Sequence, residues 1–110
     1  MSKRDPTILL EDVTAAIRKI GLFTAGMDRQ TFLNDEKTID AVARNLEIIG
    51  EAVRQLSDEF KGAHPDIPWN QIGGMRNRIV HEYFGLDLEI IWQVIQHDLP
   101  GLEARIRLLT

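Results

Sequence analysis

The sequence contains no cysteine. Disulfide bonds, thiolate zinc sites and a cysteine nucleophile are therefore excluded, and a reducing compartment is favoured. No apolar run approaches the roughly 20 residues that span a bilayer. The amino terminus, MSKRDPTILL, lacks the continuous apolar stretch and the small-residue cleavage site of a signal peptide. We therefore expect a cytoplasmic protein that does not enter a membrane.

Positive charge is also scarce. Lysine and arginine number 13 against 17 aspartates and glutamates, which gives a net charge of −4 and a pI of about 5.3. An acidic surface disfavours nonspecific binding of polyanions. Any contact with nucleic acid must therefore be local.

Strand-like alternation, internal repeats and low-complexity tracts are absent as well. The 110 residues suffice for one compact domain, and the 44% apolar and 27% charged residues are typical of a folded globular chain. We therefore expect a single domain over residues 1–110.

Apolar residues recur at helical spacings of three and four. The first helix is predicted to start at Pro6 with Asp5 as its N-cap, and to end near Gly21 or Gly26. The longest helix, of about 25 residues, is predicted from one unbroken seam: Ile39, Val42, Leu46, Ile49, Val53, Leu56 and Phe60.

Three further helical segments follow. One is predicted from about Trp69 to Tyr83, and the next begins after Asp87 as its N-cap. The stretch from Asp98 to Pro100 is predicted to cap or kink the chain into a last helix. The whole pattern predicts an all-α, up-and-down bundle of four to five helices.

An arginine interrupts the apolar face of the helix predicted over 69–83. On a helical wheel, Arg76 lies near the centre of that face, where an aliphatic residue is expected. A buried guanidinium keeps its charge, so it needs a carboxylate or an opening to solvent or an anion. Glu47 and Glu51, beside the seam of the preceding helix, are candidate partners.

Other polar groups accompany this arginine. Asn77 and His81 lie four residues apart on the flank of the same face, and Tyr83 follows closely. Gly73 and Gly74 are costly inside a helix, so we expect something to approach the backbone closely just before Arg76. The residues alone leave two interpretations open: a structural hydrogen-bonded cluster, which is the commoner fate, or a functional site.

The motif has a recognisable form: Arg76, four residues, His81, one residue, Tyr83. It resembles the R-x4-H-x-Y signature of the HEPN superfamily, specifically of the HepT toxins of prokaryotic toxin-antitoxin pairs. The segments AVARNLEIIGEAVRQLSDEF, HPDIPWNQIGGMRNRIVHEYFGLD and IIWQVIQHDLPGLEARI are similar to successive blocks of that family. The resemblance thus covers nearly the whole chain.

This resemblance implies a HEPN helical bundle that forms a symmetric homodimer, with two Arg-His motifs facing each other across a composite cleft. It implies metal-independent RNA cleavage, with Arg76 and His81 as catalytic residues, and we expect no cofactor. From their own positions and chemistry, Asn77 and Glu51 are expected to support them, Asn77 by orienting His81 or bonding a phosphate oxygen and Glu51 by pairing with Arg76. The resemblance also implies a cognate antitoxin, a minimal nucleotidyltransferase of the MntA type. Characterised antitoxins of this type transfer AMP to the motif tyrosine, here Tyr83, so the chain would be the toxin of a type VII-like pair.

The residue types suit this chemistry. Histidine, with an intrinsic pKa near 6.5, moves protons at cell pH, and arginine donates bidentate hydrogen bonds to phosphate. A two-fold interface would supply an acid and a base from one motif, and would concentrate Arg76 and Arg78 in a local basic cleft.

Two other functions stay open. One is a non-catalytic HEPN module that binds a nucleotidyltransferase and helps present nucleotide or substrate, with Arg76 and His81 only structural. The other is a plain dimerising bundle with no ligand.

Overall fold

The computed structural model describes residues 5–75, 80–81 and 85–109, with side chains for 5–75 and 87–109. Arg76, Asn77 and Tyr83 lie outside the described residues, and only the backbone of His81 is described. The helices are α1 Pro6–Thr24, α2 Arg29–Leu33, α3 Glu36–Gln55, α4 Asp58–Ala63, α5 Trp69–Gly73, α6 Leu88–Gln93 and α7 Leu99–Arg107. Two two-residue strands, β1 Val80–His81 and β2 Gly85–Leu86, and a π-helical turn, Val94–Asp98, complete the described part. The prediction of an all-α bundle is confirmed.

Each of the first three helices has an aspartate as its N-cap, directly before its first residue. The carboxylates of Asp5, Asp28 and Asp35 accept hydrogen bonds from backbone amides two or three residues further along, at 2.7, 2.8 and 3.0 Å. Each bond satisfies one of the amides that a helix start leaves without an intrahelical partner. The predicted start of α1 is confirmed, because the helix begins at Pro6 with Asp5 as its N-cap. The predicted end is confirmed as well, because the helix ends at Thr24 and Gly26 follows with a φ of 77°.

The core lies between α3 and α1, the two longest helices. The Phe32 and Trp92 rings, whose centres are 5.3 Å apart, pack α2 against α6. The residues of the predicted seam from Ile39 to Leu56 are buried, and α3 packs along α1. Burial of each large aliphatic side chain contributes about 1.5–3 kcal/mol. This interface therefore makes α3 the rigid support against which shorter elements pack.

The prediction of one continuous helix through Phe60 is wrong at Leu56 and Ser57. Leu56 has extended backbone angles, and the Ser57 hydroxyl accepts the Phe60 amide at 3.1 Å as the N-cap of α4. Asp58 and Glu59 in the first turn of α4 favour a fresh helix start, because acidic groups stabilise that end. The seam correctly predicts the burial of Leu56 but not the continuity of the helix.

The prediction of a helix from Trp69 to Tyr83 is also wrong. The α5 helix ends at Gly73, and Val80 and His81 pair antiparallel with Leu86 and Gly85 respectively. Adjacent glycines weaken a helix end, whereas a β-branched residue such as Val80 favours extended backbone. A helical wheel therefore does not describe the position of His81.

The described chain closes with α6, a π-helical turn and α7 in direct succession. The Asp87 carboxylate caps α6 as predicted, accepting the Ile90 amide at 3.1 Å. Pro100 has no N–H to donate to the carbonyl four residues before it. The Leu99 amide bonds instead to the Val94 carbonyl, five residues back, which makes a π-helical turn. Of the predicted cap or kink, the cap is wrong, because Asp98 makes no side-chain capping bond to α7, and the kink stays a prediction. Over the residues that the structure describes, no helix is long and apolar enough to cross a membrane.

Candidate functional site

The short helix α5 leads the chain towards the motif, ending three residues before Arg76. Its first residue, Trp69, is buried, and its indole N–H donates to the carbonyls of Lys61 at 3.1 Å and His64 at 2.9 Å. The Phe60 ring centre lies 6.1 Å from that of Trp69 and 4.8 Å from that of His64. The start of α5 is thereby anchored to the end of α4.

The other end of α5 packs against α3 through glycines. A Cβ atom on Gly50 would lie 3.4 Å from the Ile72 carbonyl and 3.6 Å from that of Gly73. A Cβ atom on Gly73 would lie 3.6 Å from Cγ of Arg54. Small residues allow such close approach of two backbones. The element that approaches the backbone before Arg76 is therefore α3.

A hydrogen bond joins the two helices at this point. Nε of Arg54 donates to the carbonyl oxygen of Gly73 at 2.9 Å, across 19 residues of sequence. Nη1 of the same guanidinium lies 3.6 Å from Oε2 of Glu51. Sequence reasoning did not single out Arg54. Its spacing of four residues from Gly50 places both on one side of α3, but nothing in the sequence shows that the Gly73 carbonyl lies opposite.

The two glutamates that the sequence offered to Arg76 are both exposed. The Glu51 side chain is 62% exposed, and its ion pair among the described residues is with Arg54. Glu47 is exposed on the same helix. Since Arg76 lies outside the described residues, the pairing of either carboxylate with it stays a prediction.

A cavity of about 570 Å³ opens along this side of α3. Its charged lining residues are Asp12, Arg44, Glu47, Glu51 and Arg54. Two arginines face three carboxylates, so the described lining is not cationic. The positive charge that binds a polyanion must therefore come from residues outside this lining. The sequence predicts that the motif arginines supply it.

The remaining predicted site residues belong to the segment of the chain between α5 and α6. Arg76, Asn77 and Tyr83 lie outside the described residues, and for His81 the structure gives only its backbone pairing with Gly85. Their proposed roles stay predictions. Elsewhere in the described ranges, no group of three or more histidine, aspartate or glutamate side chains is placed to hold a metal ion.

Comparison with known proteins identifies the family. The family model described as ribonuclease HepT-like matches residues 13–109. The chain belongs to the HepT-like ribonuclease family. It is 42% identical over 103 residues to a probable ribonuclease HepT of Thermococcus cleftensis, with 94% of both chains covered. It is 35% identical over 109 residues to a candidate RNase of Methanocaldococcus jannaschii, covering 99% of this chain and 100% of that one.

Membership in the HepT-like family confirms the resemblance seen in the sequence and makes ribonuclease the enzyme class of the chain. No solved structure matches the chain significantly.

Proposed function

We propose that the chain is the toxin of a type VII-like toxin-antitoxin pair and cleaves RNA without a metal. Arg76 and His81 of two subunits form the active site, with Asn77 and Glu51 in support. A cognate minimal nucleotidyltransferase of the MntA type silences the enzyme by transferring AMP to Tyr83.

One observation carries this proposal. The complete R-x4-H-x-Y motif, with Arg76, His81 and Tyr83 in place, occurs in a chain that matches the HepT-like family over residues 13–109. A short motif of this kind occurs by chance in unrelated sequences. In a family member it occupies the expected position, between two segments that also resemble the family.

The chemistry requires two proton transfers and stabilisation of a phosphorane. His81 of one subunit removes the proton of the ribose 2′-hydroxyl, whose oxygen attacks the adjacent phosphorus. The protonated His81 of the partner subunit gives a proton to the departing 5′-oxygen, which leaves a 2′,3′-cyclic phosphate on one fragment. Arg76 donates to the phosphate oxygens as negative charge accumulates there.

Pairing of two subunits also addresses the acidity of the chain. The described cavity lining beside α3 holds more carboxylates than arginines, and the net charge is −4. Two copies of Arg76 and Arg78 at one interface would create a local basic surface in an otherwise acidic protein. We therefore expect cleavage to weaken strongly as salt concentration rises.

The decisive test is RNA cleavage in the presence of excess chelator. Wild type should cut labelled RNA, while His81→Ala and Arg76→Ala should each lose activity by about 100-fold or more, the usual contribution of a catalytic acid or base. His97→Ala is the matched control, because His97 is exposed on the π-helical turn. Equal cleavage by wild type and His81→Ala would contradict the catalytic role, and chelator-sensitive cleavage would contradict metal independence.

Silencing is tested by intact-mass and peptide analysis after incubation with the partner nucleotidyltransferase and ATP. Wild type should gain AMP on Tyr83, and Tyr83→Phe should stay unmodified. Added AMP places an anion and a large group beside the Arg-His motif, so modified protein should no longer cut RNA. AMP on another residue would contradict the assigned site.

A second function is favoured by the acidic charge balance. In this alternative, the chain is a non-catalytic HEPN module that binds the nucleotidyltransferase and helps present nucleotide or substrate. A protein of net charge −4 with a mixed cavity lining suits a protein partner as well as RNA. Absence of RNA cleavage by wild type, together with stable binding of the nucleotidyltransferase, would support this function over the first.

A further inference from the structure

We propose that Arg54 is a positioning residue for the Arg76-His81 motif. Its bond to the Gly73 carbonyl fixes the point at which the chain leaves α5 towards Arg76. The inference rests on the proposed function, because the rate that Arg54 is expected to control is that of RNA cleavage. Arg54 itself is not assigned any contact with substrate.

The first support is the difference in stability between the two helices that Arg54 joins. Val53, its neighbour on α3, is fully buried, and α3 has 20 residues. The α5 helix has only five residues, and its N-cap, Pro68, makes no side-chain capping bond. Helices of one or two turns are unstable without tertiary contacts. The position of α5 therefore depends on what holds it to α3 and α4.

The second support is the accounting of backbone hydrogen bonds. The last carbonyls of a helix have no intrahelical donor and need another partner. Among the described residues, the Gly73 carbonyl at the end of α5 accepts the Nε–H of Arg54 at 2.9 Å. The Trp69 indole holds the start of the same helix. Both ends of α5 are thus fixed by side-chain donors that bond to backbone carbonyls.

The ion pair between Arg54 and Glu51 does not explain how α5 is held against α3. Their side chains are 49% and 62% exposed, and the nitrogen and oxygen lie 3.6 Å apart. Exposed ion pairs contribute little, because water and salt screen them. The donor at Nε, rather than the positive charge, is therefore the feature that should matter.

Positioning matters here because Arg76 is close in sequence to the bonded carbonyl. Only two residues, Gly74 and Met75, lie between Gly73 and Arg76, so a displacement at the end of α5 carries over to the start of the motif. Displacement of a catalytic group by about 1 Å can lower a rate by about 100-fold. RNA binding, which draws on contacts over a larger surface, should change much less.

Two substitutions separate the donor from the charge. Arg54→Gln places its amide nitrogen the same number of bonds from Cα as Nε of arginine, and so keeps the donor without the charge. Arg54→Met has similar length and no donor. Both remove the ion pair with Glu51, which makes them a matched pair.

The assay is single-turnover cleavage of labelled RNA in chelator, with RNA affinity measured separately. Arg54→Met should cleave about 10- to 100-fold more slowly than wild type, with Kd changed by about twofold at most. Arg54→Gln should remain within about threefold of wild type in rate. Equal losses in both variants would assign the effect to charge and overturn the proposal. Undiminished cleavage by Arg54→Met, or a loss confined to RNA affinity, would also overturn it.

Amide hydrogen exchange tests the same bond without RNA. The Gly74 and Met75 amides, just beyond the bonded carbonyl, should exchange faster in Arg54→Met than in wild type or Arg54→Gln. Equal exchange in all three proteins would overturn the positioning role even if cleavage is observed. If wild type does not cleave RNA, the proposed function fails, while the exchange data still decide whether Arg54 holds α5 in place.

Discussion

The Trp69 indole is expected to stabilise the fold through its hydrogen bonds as well as through its ring. Trp69 donates to the carbonyls of Lys61 and His64, which lie at the end of α4. Trp69→Phe keeps most of the ring but removes this donor. Trp92→Phe is the control, because Trp92 is comparably buried, at 8% exposure against 6%, and donates no indole hydrogen bond to any described residue.

The magnitude follows from what each substitution removes. Loss of the second ring should cost about 1–2 kcal/mol at either site, from apolar area that is no longer buried. At Trp69 the lost donor adds about 1 kcal/mol, the usual net value of one hydrogen bond. The added cost stays near that value because both carbonyls keep a second donor: the His64 amide for Lys61 and the Ile67 amide for His64.

We therefore expect Trp69→Phe to lower the free energy of unfolding by about 1 kcal/mol more than Trp92→Phe. The measurement is urea unfolding followed by far-UV circular dichroism, which does not depend on tryptophan emission. The two variants should have the same dependence on urea concentration, so that the free energies can be compared directly. Equal destabilisation by the two substitutions would refute the inference that the indole bonds hold α5 to α4.

Two further predictions concern helix capping and pH. Ser57→Ala should lower the free energy of unfolding by about 1 kcal/mol, because α4 loses its N-cap, while Ser57→Asp should restore most of it. Backbone amides at the caps lower the pKa values of Asp28 and Asp35 below the ordinary 3.8, and the hydrogen bond from Arg29 lowers the pKa of Glu89 below 4.5. A lowered pKa in the folded state gives stability that is present above the ordinary pKa and is lost as pH falls through the folded value. The free energy of unfolding, measured in urea, should therefore decline from about pH 7 to about pH 3. The decline should be smaller in Asp35→Asn, and an identical decline in that variant would contradict the contribution assigned to the Asp35 carboxylate.

Much of the fold could be predicted because the interactions that decide it are local. The aspartate caps bond to amides two or three residues away, and the α3 seam repeats within two helical turns. The motif and its flanking segments likewise identified the family directly from the order of residues. The break at Ser57 was also encoded locally, by a serine followed by two acidic residues. Apolar residues continue at spacings of three and four across Ser57, and this pattern predicted a continuous helix there.

Other features could be decided only by the tertiary structure. The bond from Arg54 to Gly73 spans 19 residues, and the pairing of β1 with β2 sets His81 opposite Gly85. A sequence shows that Arg54 carries donors and that Gly73 carries a backbone carbonyl, but not that they meet. Their meeting depends on how α5 packs across Gly50, and that packing is set by the buried surfaces of the whole bundle. The sequence by itself thus determined the all-α class, the aspartate-capped helix starts and the family, and it supplied the candidate catalytic residues. Only the tertiary structure decided what holds the chain in position before Arg76. Arg54 and Gly73 are distant in sequence, and they meet only when α3 and α5 are packed together.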